Sequence, residues 1–293
     1  MINGIVTETS VPIPKVIYNK CSLGSHSTIN RLEKIIGINR IFNYRNRLNK
    51  WQIYKALESS TLKKHLPITK RFITGELKEW LTDNIFYLKP CYSHQGKGVF
   101  RCEVIKNEIM ISEDSLAPRH ILDINSKQIT KHINNLIMGK KYIIQRGVPL
   151  LQFNQKHFDI RVLVQKNIDG IWKITSIVSR LTYRDYFNTS VIEEVIESER
   201  ILKSLFFEEE AIKILSTLRY LSIEAADHVE KNIGLMGELS VDFGIDPDGK
   251  LWIIEVNGKP SKSIYREHFK NEEYGTAVMR PLEYAKFLYF NSH

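Results

Sequence analysis

Cysteine is scarce in this 293-residue sequence, and its three cysteines, Cys21, Cys91 and Cys102, form no Cys-x-x-Cys pair. A small disulfide-stapled scaffold and a cysteine-based zinc site are therefore excluded, and a reduced, cytoplasmic setting is expected. Long apolar runs are also missing, and the first residues lack the basic and apolar segments of a signal peptide. Neither secretion nor membrane insertion is expected.

Acidic residues are scarce in the first quarter of the chain. Residues 1–71 contain 13 Lys and Arg but 3 Asp and Glu, a net charge of +10, whereas the remainder carries −1. A basic region of this kind is most often a solvated surface, and contact with an anionic partner is the alternative interpretation. No nucleic-acid-binding motif accompanies it, so a nucleic-acid partner is not expected.

Apolar periodicity divides the chain into hairpins and helices, which is typical of an α+β fold. Strands are predicted at residues 15–18, 85–89, 99–105, 142–145, 158–165 and 171–179, and helices near 49–57, 76–81, 126–138 and 208–231. Asn49 is the expected N-cap of the first helix. The last helix has a predicted apolar stripe that begins at Ile212, and Gly234 is expected to end it. A Ser/Gly-rich turn is predicted at 21–27.

The most informative segment is residues 237–257, which read GELSVDFGIDPDGKLWIIEVN. The Asp-Pro-Asp-Gly sequence at its centre predicts a turn between two apolar strands. If Asp246 faces Gly249 across the turn, antiparallel pairing places Asp242 opposite Ile253. This register determines which side chains share a face with Asp242.

Three oxygen-bearing side chains fall on that face: Asp242, Glu255 and Asn257. Two carboxylates and an amide are hard donors that suit Mg²⁺, with Mn²⁺ as an alternative ion, whereas soft metals are disfavoured. A hairpin with one polar, solvent-facing side is the alternative interpretation. The apolar residues on both faces of 251–256 favour a buried strand instead, and a buried carboxylate without a cation is costly.

A second segment places a lysine before a glycine-containing loop. Lys89 ends a predicted strand, and the loop of Gln95, Gly96, Lys97 and Gly98 leads into the next one. A lysine can reach a phosphate, and glycine lets backbone N–H groups approach phosphate oxygens. Because no helix starts after the loop, it is not a Walker P-loop and suggests a flap over phosphates. An ordinary hairpin turn is the alternative.

A third segment brings charged residues onto neighbouring strands. Asp159 and Arg161 share a strand face at i, i+2 spacing, and Arg180 follows across the predicted hairpin. These residues suit a ribose acceptor with cations for a transferred phosphate and a carboxylate. A surface ion pair that contributes little is an equally good interpretation of the residues alone.

In this order, the three segments resemble the ATP-grasp superfamily, and more closely its YheC/YheD-type members, which are associated with bacterial endospore coats. The supporting residues are 14–19, 50–51, 66–69, 88–90, 158–161 and 237–257. The resemblance covers about residues 14–261 and implies two α+β lobes that grip ATP between antiparallel sheets. It implies a short basic N-terminal region at 1–44, a trimmed preceding domain, and an ATP-grasp domain at 45–293. The small lobe is expected near 80–144 and the large lobe near 145–293.

The resemblance also implies roles for individual residues. Nucleotide contacts are implied for Lys50, Lys89, Gln95, Gly96, Lys97, Gly98, Gln145, Val148 and Asp159. Within this set, Gln145 and the Val148 backbone correspond to adenine contacts and Asp159 to the ribose contact. Catalytic cations are implied at Lys89, Arg161 and Arg180, and Mg²⁺ ligands at Asp242, Glu255 and Asn257. One departure lies on the acceptor side, where relatives usually show a Gly-Gly pair soon after the position of Asn188 and this chain is acidic.

The implied activity is that of an ATP- and Mg²⁺-dependent carboxylate–amine ligase that acts through an acylphosphate. The carboxylate and amine substrates are unknown, and a link to spore coat formation is implied by the family. A non-catalytic nucleotide-binding protein with a structural role in a spore layer or another assembly is the alternative.

Overall fold

The computed structural model describes residues 10–21, 26–93, 95–126, 128–268 and 271–291. The helices are α1 His26–Ile36, α2 Lys50–Glu58, α3 Leu77–Trp80, α4 Ile129–Ile137, α5 Ser198–Leu205, α6 Glu208–Ile233, α7 Ser263–His268 and α8 Asn271–Asn291. The strands are β1 Ile17–Tyr18, β2 Ile41–Phe42, β3 Thr69–Arg71, β4 Ile85–Pro90, β5 Phe100–Ile105, β6 Glu108–Glu113, β7 His120–Asp123, β8 Tyr142–Arg146, β9 Gln152–Phe153, β10 Lys156–Lys166, β11 Trp172–Thr182, β12 Ile192–Glu197, β13 Glu238–Ile245 and β14 Leu251–Asn257. The fold is therefore α+β, as expected. In the described ranges no helix is both long and apolar enough to cross a bilayer.

An antiparallel sheet with the order β3-β8-β4-β5-β6-β7 forms the small lobe. Side chains alternate across its strands, so that Phe86 and Leu88 are buried against α3 and α4. Tyr87 and Lys89 point to the opposite face, which borders a cleft. The sheet includes β3, which precedes the limit near residue 80 expected for this lobe.

The second antiparallel sheet, with the order β12-β11-β10-β13-β14, forms the large lobe. Alternate residues of β10 and β13, such as Val162 and Val241, are buried against α2, α5 and α6. The residues between them face the other way, and Leu163 packs there with Tyr265 of α7 and Ala277 of α8. The part of this face that α7 and α8 do not cover borders the cleft.

Helix α6 supports the large sheet with one apolar face. Three glutamates in its first turn complement the helix dipole, and Gly234 caps its end with a φ of +129°. Leu218 is fully buried on the inner face. The prediction that Ile212 belongs to the buried stripe is wrong, because Ile212 is 56% exposed. The inner face is instead continued by Ala211 and Leu215, which lie four residues apart.

The turn between β13 and β14 is one residue longer than predicted. Asp246 faces Lys250 rather than Gly249, and its backbone N–H donates to the Lys250 carbonyl at 3.1 Å. The Asp246 carboxylate causes this, because its Oδ1 accepts from the backbone N–H groups of Asp248 and Lys250 at 3.1 and 2.9 Å.

A β-bulge further along the hairpin shifts the register by a second residue. Asp242 pairs with Glu255 rather than with Ile253, and Ile254 is the extra residue. The predicted register was wrong by two residues in total. Because side chains alternate with a period of two, Glu255 and Asn257 still lie on the predicted face.

The N-terminal part packs on the large lobe through a buried asparagine. The Asn43 amide donates to the carbonyls of Glu238 and Gly258, both at 2.8 Å, and its oxygen accepts from the Gly237 N–H at 2.7 Å. These bonds fix the outer ends of β13 and β14 relative to β2. The predicted turn at 21–27 falls mostly outside the described residues, and Ser27 belongs to α1.

Candidate functional site

The two lobes enclose a cleft of about 1030 Å³. The segment that follows β8 connects them, and its Val148 and Leu150 form part of the cleft wall. Predicted site residues that line the cleft are Lys50, Lys89, Gly96, Gln145, Val148, Asp159, Arg180, Asp242 and Glu255. Sheet pairing thus brings together residues that are far apart in sequence.

The other predicted residues lie next to the cleft. Gln95, Arg161 and Asn257 line a second pocket that shares Lys50, Arg180 and Glu255 with the cleft. Lys97 and Gly98 line neither of these, and instead border a groove on the outer side of the glycine loop. The glycine loop therefore borders the cleft, the second pocket and the outer groove.

Asp242 is held by two arginines at the base of the cleft. Arg161 lies opposite it on β10 and donates from Nε and Nη2 to its two oxygens, both at 2.7 Å. Arg180 on β11 adds a bond at 3.1 Å. Burial by itself would raise the pKa of Asp242, but the two guanidinium groups outweigh it and hold the pKa below its usual range. Asp242 is therefore a carboxylate at neutral pH.

Asp159 forms the second buried ion pair. The Nε of Arg180 donates to it at 2.8 Å, Nη2 of the same residue donates to its other oxygen, and the Thr189 hydroxyl donates at 2.6 Å. Arg180 is thus shared between Asp159 and Asp242. The two sequence interpretations of this segment, a surface ion pair or a buried site, are distinguished by burial, since Arg180 is 5% exposed.

Lys50 of α2 contacts Glu255, one of the three residues predicted to bind Mg²⁺. Asn49 caps the helix as predicted, accepting from the Trp51 N–H at 3.0 Å, and thereby places Lys50 in the first turn. The Lys50 ammonium lies 2.7 Å from the Glu255 carboxylate and donates to the Ser93 hydroxyl at 3.1 Å. Burial would raise the pKa of Glu255, but Lys50 and Lys89 hold it below its ordinary value.

Lys89 reaches the cleft from the small lobe. Its ammonium donates to Gln145 Oε1 at 2.6 Å, and the Gln145 amide donates in turn to the Thr69 hydroxyl at 3.0 Å. Burial lowers the pKa of Lys89 to about 8, an effect that Glu255 opposes and Lys50 reinforces. This lysine is therefore the cation in the cleft whose charge is most sensitive to pH near neutrality.

The charges around the base of the cleft sum to one net positive. The cations are Lys50, Lys89, Arg161 and Arg180, and the anions are Asp159, Asp242 and Glu255. Such a site suits a polyanion, and its Asp242, Glu255 and Asn257 oxygens are the donor types that suit Mg²⁺. The described residues contain no cluster of three His, Cys, Asp or Glu side chains that could hold a metal. The trio fits a metal that takes its remaining oxygens from water or phosphate.

Sequence reasoning missed the residues that close the mouth of the cleft. The Asn188 amide donates to Asp114 Oδ1 of the small lobe at 2.6 Å, and Gly96 of the glycine loop lies against the same side chain. Thr189 contacts Asp159, as described above. The sequence contained no signal for these contacts, because they join segments that are 30 or more residues apart. The acidic stretch after Asn188 forms β12, and the second pocket takes Ser190 and Ile192 from this region but none of its glutamates.

Comparison with known proteins identifies relatives across most of the chain. A family model described as YheC/D-like ATP-grasp matches residues 39–288. The chain is similar to the endospore coat-associated proteins YheD and YheC of Bacillus subtilis (strain 168). Identity with YheD is 26% over 309 residues, 95% of this chain and 64% of YheD. Identity with YheC is 22% over 295 residues, 96% of this chain and 80% of YheC. The chain thus spans less than two thirds of the length of YheD.

Solved structures show the same fold at low sequence identity. N5-carboxyaminoimidazole synthetase from Staphylococcus aureus, complexed with ADP, matches with a TM-score of 0.53 and 13% identity over 86% of this chain and 57% of the synthetase. VanG D-Ala:D-Ser ligase from Enterococcus faecalis matches with a TM-score of 0.53 and 13% identity over 89% of this chain and 68% of the ligase. At these identities the likeness shows the fold alone, which is the ATP-grasp fold.

Proposed function

The chain belongs to the YheC/D-like ATP-grasp family, and from that premise we propose that it is an ATP- and Mg²⁺-dependent carboxylate–amine ligase. One observation carries the proposal. Lys89 from the small lobe and Lys50 from α2 both approach Glu255, which pairs with Asp242 on the adjacent strand of the large lobe. Cations on both sides of a pair of carboxylates match the needs of a triphosphate with its metal.

We propose a position for the nucleotide along the cleft. We assign the adenine to the connecting segment, where Gln145, Val148 and the apolar Leu150 and Ile254 line the wall. Asp159 is the assigned ribose contact. Each carboxylate oxygen has two acceptor sites, so an oxygen that accepts from Arg180 still has room for a ribose hydroxyl. The phosphates then extend towards Lys50, Lys89 and the glycine loop.

The metal assignment rests on the donor chemistry. Asp242, Glu255 and Asn257 would hold Mg²⁺ through their oxygens, and a hydrogen bond from Asn257 Nδ2 to Asp242 Oδ2 at 3.3 Å keeps the Asn257 and Asp242 side chains adjacent. When bound, the ion offsets the charge on the phosphate oxygens. Lys50 and Arg161, which pair with Glu255 and Asp242 in this structure, are positioned to exchange these contacts for phosphate oxygens.

The proposed reaction has two steps. A substrate carboxylate oxygen attacks the γ-phosphorus of ATP, the bond to the β-phosphate oxygen breaks, and ADP leaves. An amine then attacks the acyl carbon of the acylphosphate, inorganic phosphate leaves, and the amine nitrogen loses a proton. Arg161 and Arg180 line the second pocket beside the cleft and stabilise the charge that develops on the transferred group. We assign the second substrate to that pocket.

An isotope experiment tests this reaction. Carboxylates and amines are screened in pairs for ADP release, and the active carboxylate is then labelled with ¹⁸O. An acylphosphate route transfers one ¹⁸O atom to inorganic phosphate. ADP release without ¹⁸O transfer would rule out the route, and an Arg161→Lys variant should lower turnover more than ADP affinity.

One observation supports the non-catalytic alternative: Asp159 and Asp242 are both paired with arginines. Such a network also stabilises a fold that only binds nucleotide. ADP binding without turnover across the whole substrate screen would favour this alternative. In either case we propose a cytoplasmic protein with a role connected to the spore coat, since its curated relatives are named endospore coat-associated proteins.

A further inference from the structure

A continuous basic groove leads away from the proposed reaction centre. The second pocket and the outer groove share two lining residues, Arg47 and Ser93. The path therefore runs from Arg161 and Arg180, past Arg47, to the outer side of the glycine loop. The outer groove and the second pocket are both open to solvent.

The groove has a strong excess of positive charge. Its two lining carboxylates are already neutralised, Glu113 by Arg119 and Glu255 by Lys50. Its remaining cations are Arg47, Lys97, Lys140, Lys141 and Lys259. None of these five forms an ion pair with a carboxylate within the described ranges of the chain. All five are exposed, so their charges face solvent along the groove.

The floor of the groove is apolar and close to the loop. Phe100 and Tyr142 are buried beneath it, and the Tyr142 hydroxyl donates to the Gly98 carbonyl at 3.1 Å. Tyr92 and Met138 are exposed at its edge, 49% and 70% respectively. Apolar side chains between fixed cations suit a flexible chain that carries both methylene groups and repeated anionic groups.

We propose that the groove binds an extended carboxylate-bearing chain, such as an acidic polypeptide, and guides it to the reaction centre. This inference rests on the proposed function, because a ligase of this type consumes a carboxylate. A nucleic acid carries anions as well, but single-stranded nucleic acid is usually held by several stacked aromatic rings, and Tyr92 is the only exposed aromatic ring among the groove residues that the structure describes. Most of these five cations lie outside residues 1–71, so the positive charge of the groove does not come mainly from the basic first quarter of the chain.

The test uses a labelled oligomer of about ten L-glutamate residues, with oligo-glutamine of the same length as the uncharged control. Fluorescence anisotropy should show binding of oligo-glutamate that weakens steeply with salt, because screening acts on exposed charges. The double variant Lys140→Glu/Lys141→Glu should weaken binding by about tenfold or more, and Arg47→Glu should also weaken it. Equal binding of oligo-glutamine would overturn the proposal.

Matched variants carry the same charge change elsewhere. Lys173→Glu/Lys213→Glu and Arg219→Glu alter exposed cations of β11 and α6, away from the groove, and should bind oligo-glutamate as the unmodified protein does. If they weaken binding as much as the groove variants, the attraction is only net charge and the proposal fails. Tighter binding of a ten-residue oligouridylate would also contradict it. ADP binding by calorimetry on the same unmodified protein reports separately on the proposed function, so loss of either result leaves the other interpretable.

Discussion

Gly96 lies against Asn188 across the mouth of the cleft, so closely that a Cβ atom built on Gly96 would lie 2.1 Å from the Asn188 Nδ2. Asn188 belongs to the large lobe and is also bonded to Asp114 of the small lobe. Next to it, the Leu116 N–H donates to the Asp185 carbonyl at 2.6 Å. The lobes are therefore joined at the mouth of the cleft as well as through the connecting segment.

Gly96→Ala should open this contact and weaken ADP binding by about tenfold, since the added methyl group displaces a bonded side chain at the mouth. Gly139→Ala is the matched control: the φ of Gly139, +68°, is within one degree of the +67° of Gly96, yet nothing lies within 4 Å of its Cβ position. Gly139→Ala therefore introduces the backbone strain without the steric clash, and this variant should bind ADP as tightly as the unmodified protein does. In an Asn188→Ala background, Gly96→Ala should lose most of its effect. Equal losses of affinity in the Gly96 and Gly139 variants would contradict the account.

ADP affinity should fall with rising pH because of Lys89. With a pKa of about 8 in the free protein, this lysine is mostly charged at pH 7 and mostly neutral at pH 9, whereas bound phosphates favour the charged form. Calorimetry should therefore show a decrease of about tenfold between pH 7 and pH 9. Lys89→Met should bind weakly and lose this dependence. A dependence that persists in Lys89→Met would assign the titration to another group.

The lowered pKa of Lys89 also predicts how the free energy of unfolding changes with pH. Because its pKa in the folded protein lies below the unfolded value of 10.5, the unfolded chain binds more protons between about pH 8 and pH 10.5. Lys89 should thus make the free energy of unfolding rise with pH across that window. The slope of urea-unfolding free energy against pH, compared between the unmodified protein and Lys89→Met, measures this contribution. An unchanged slope would show that Lys89 keeps its ordinary pKa when folded.

Asp242→Asn should lower the free energy of unfolding by about 3 kcal/mol, because it leaves Arg161 and part of Arg180 buried without their carboxylate. Urea denaturation checks the value. Glu199→Gln is the control, since it breaks an exposed ion pair with Lys203 in one turn of α5 and should leave the midpoint unchanged. A stable Asp242→Asn variant would mean that the arginines find other partners, and the assigned role of Asp242 in holding them would be wrong.

The sequence predicted the β10–β11 and β13–β14 hairpins and helices α2, α4 and α6, because their apolar patterns are strong, but it gave no prediction for α8 at Asn271–Asn291. The helix cap at Asn49 was also predicted and is confirmed. The register of the β13–β14 hairpin was not predictable, because it depends on how Asp246 bonds inside its turn and on the bulge at Ile254. Neither the turn bonds of Asp246 nor the bulge can be recognised from the pattern of apolar residues.

Contacts between strands that are distant in sequence could not be predicted from the sequence either. That Arg161 pairs with Asp242 follows only from β10 lying beside β13, which no local pattern specifies. Closure of the mouth by Asn188 depends in the same way on how the two lobes pack. The sequence thus indicated which residue types take part, and the fold determined which of them meet.

The most direct test of the central claim is calorimetric titration of ADP, with and without Mg²⁺, into the unmodified protein and Glu255→Gln. We expect tight binding only with Mg²⁺, and no detectable binding of Mg²⁺ alone, because the base of the cleft is net positive. Glu255→Gln should weaken Mg²⁺–ADP by about tenfold or more yet bind metal-free ADP more tightly, since it removes a negative charge and frees Lys50. Binding that is absent, or identical in the two proteins with and without Mg²⁺, would contradict the account.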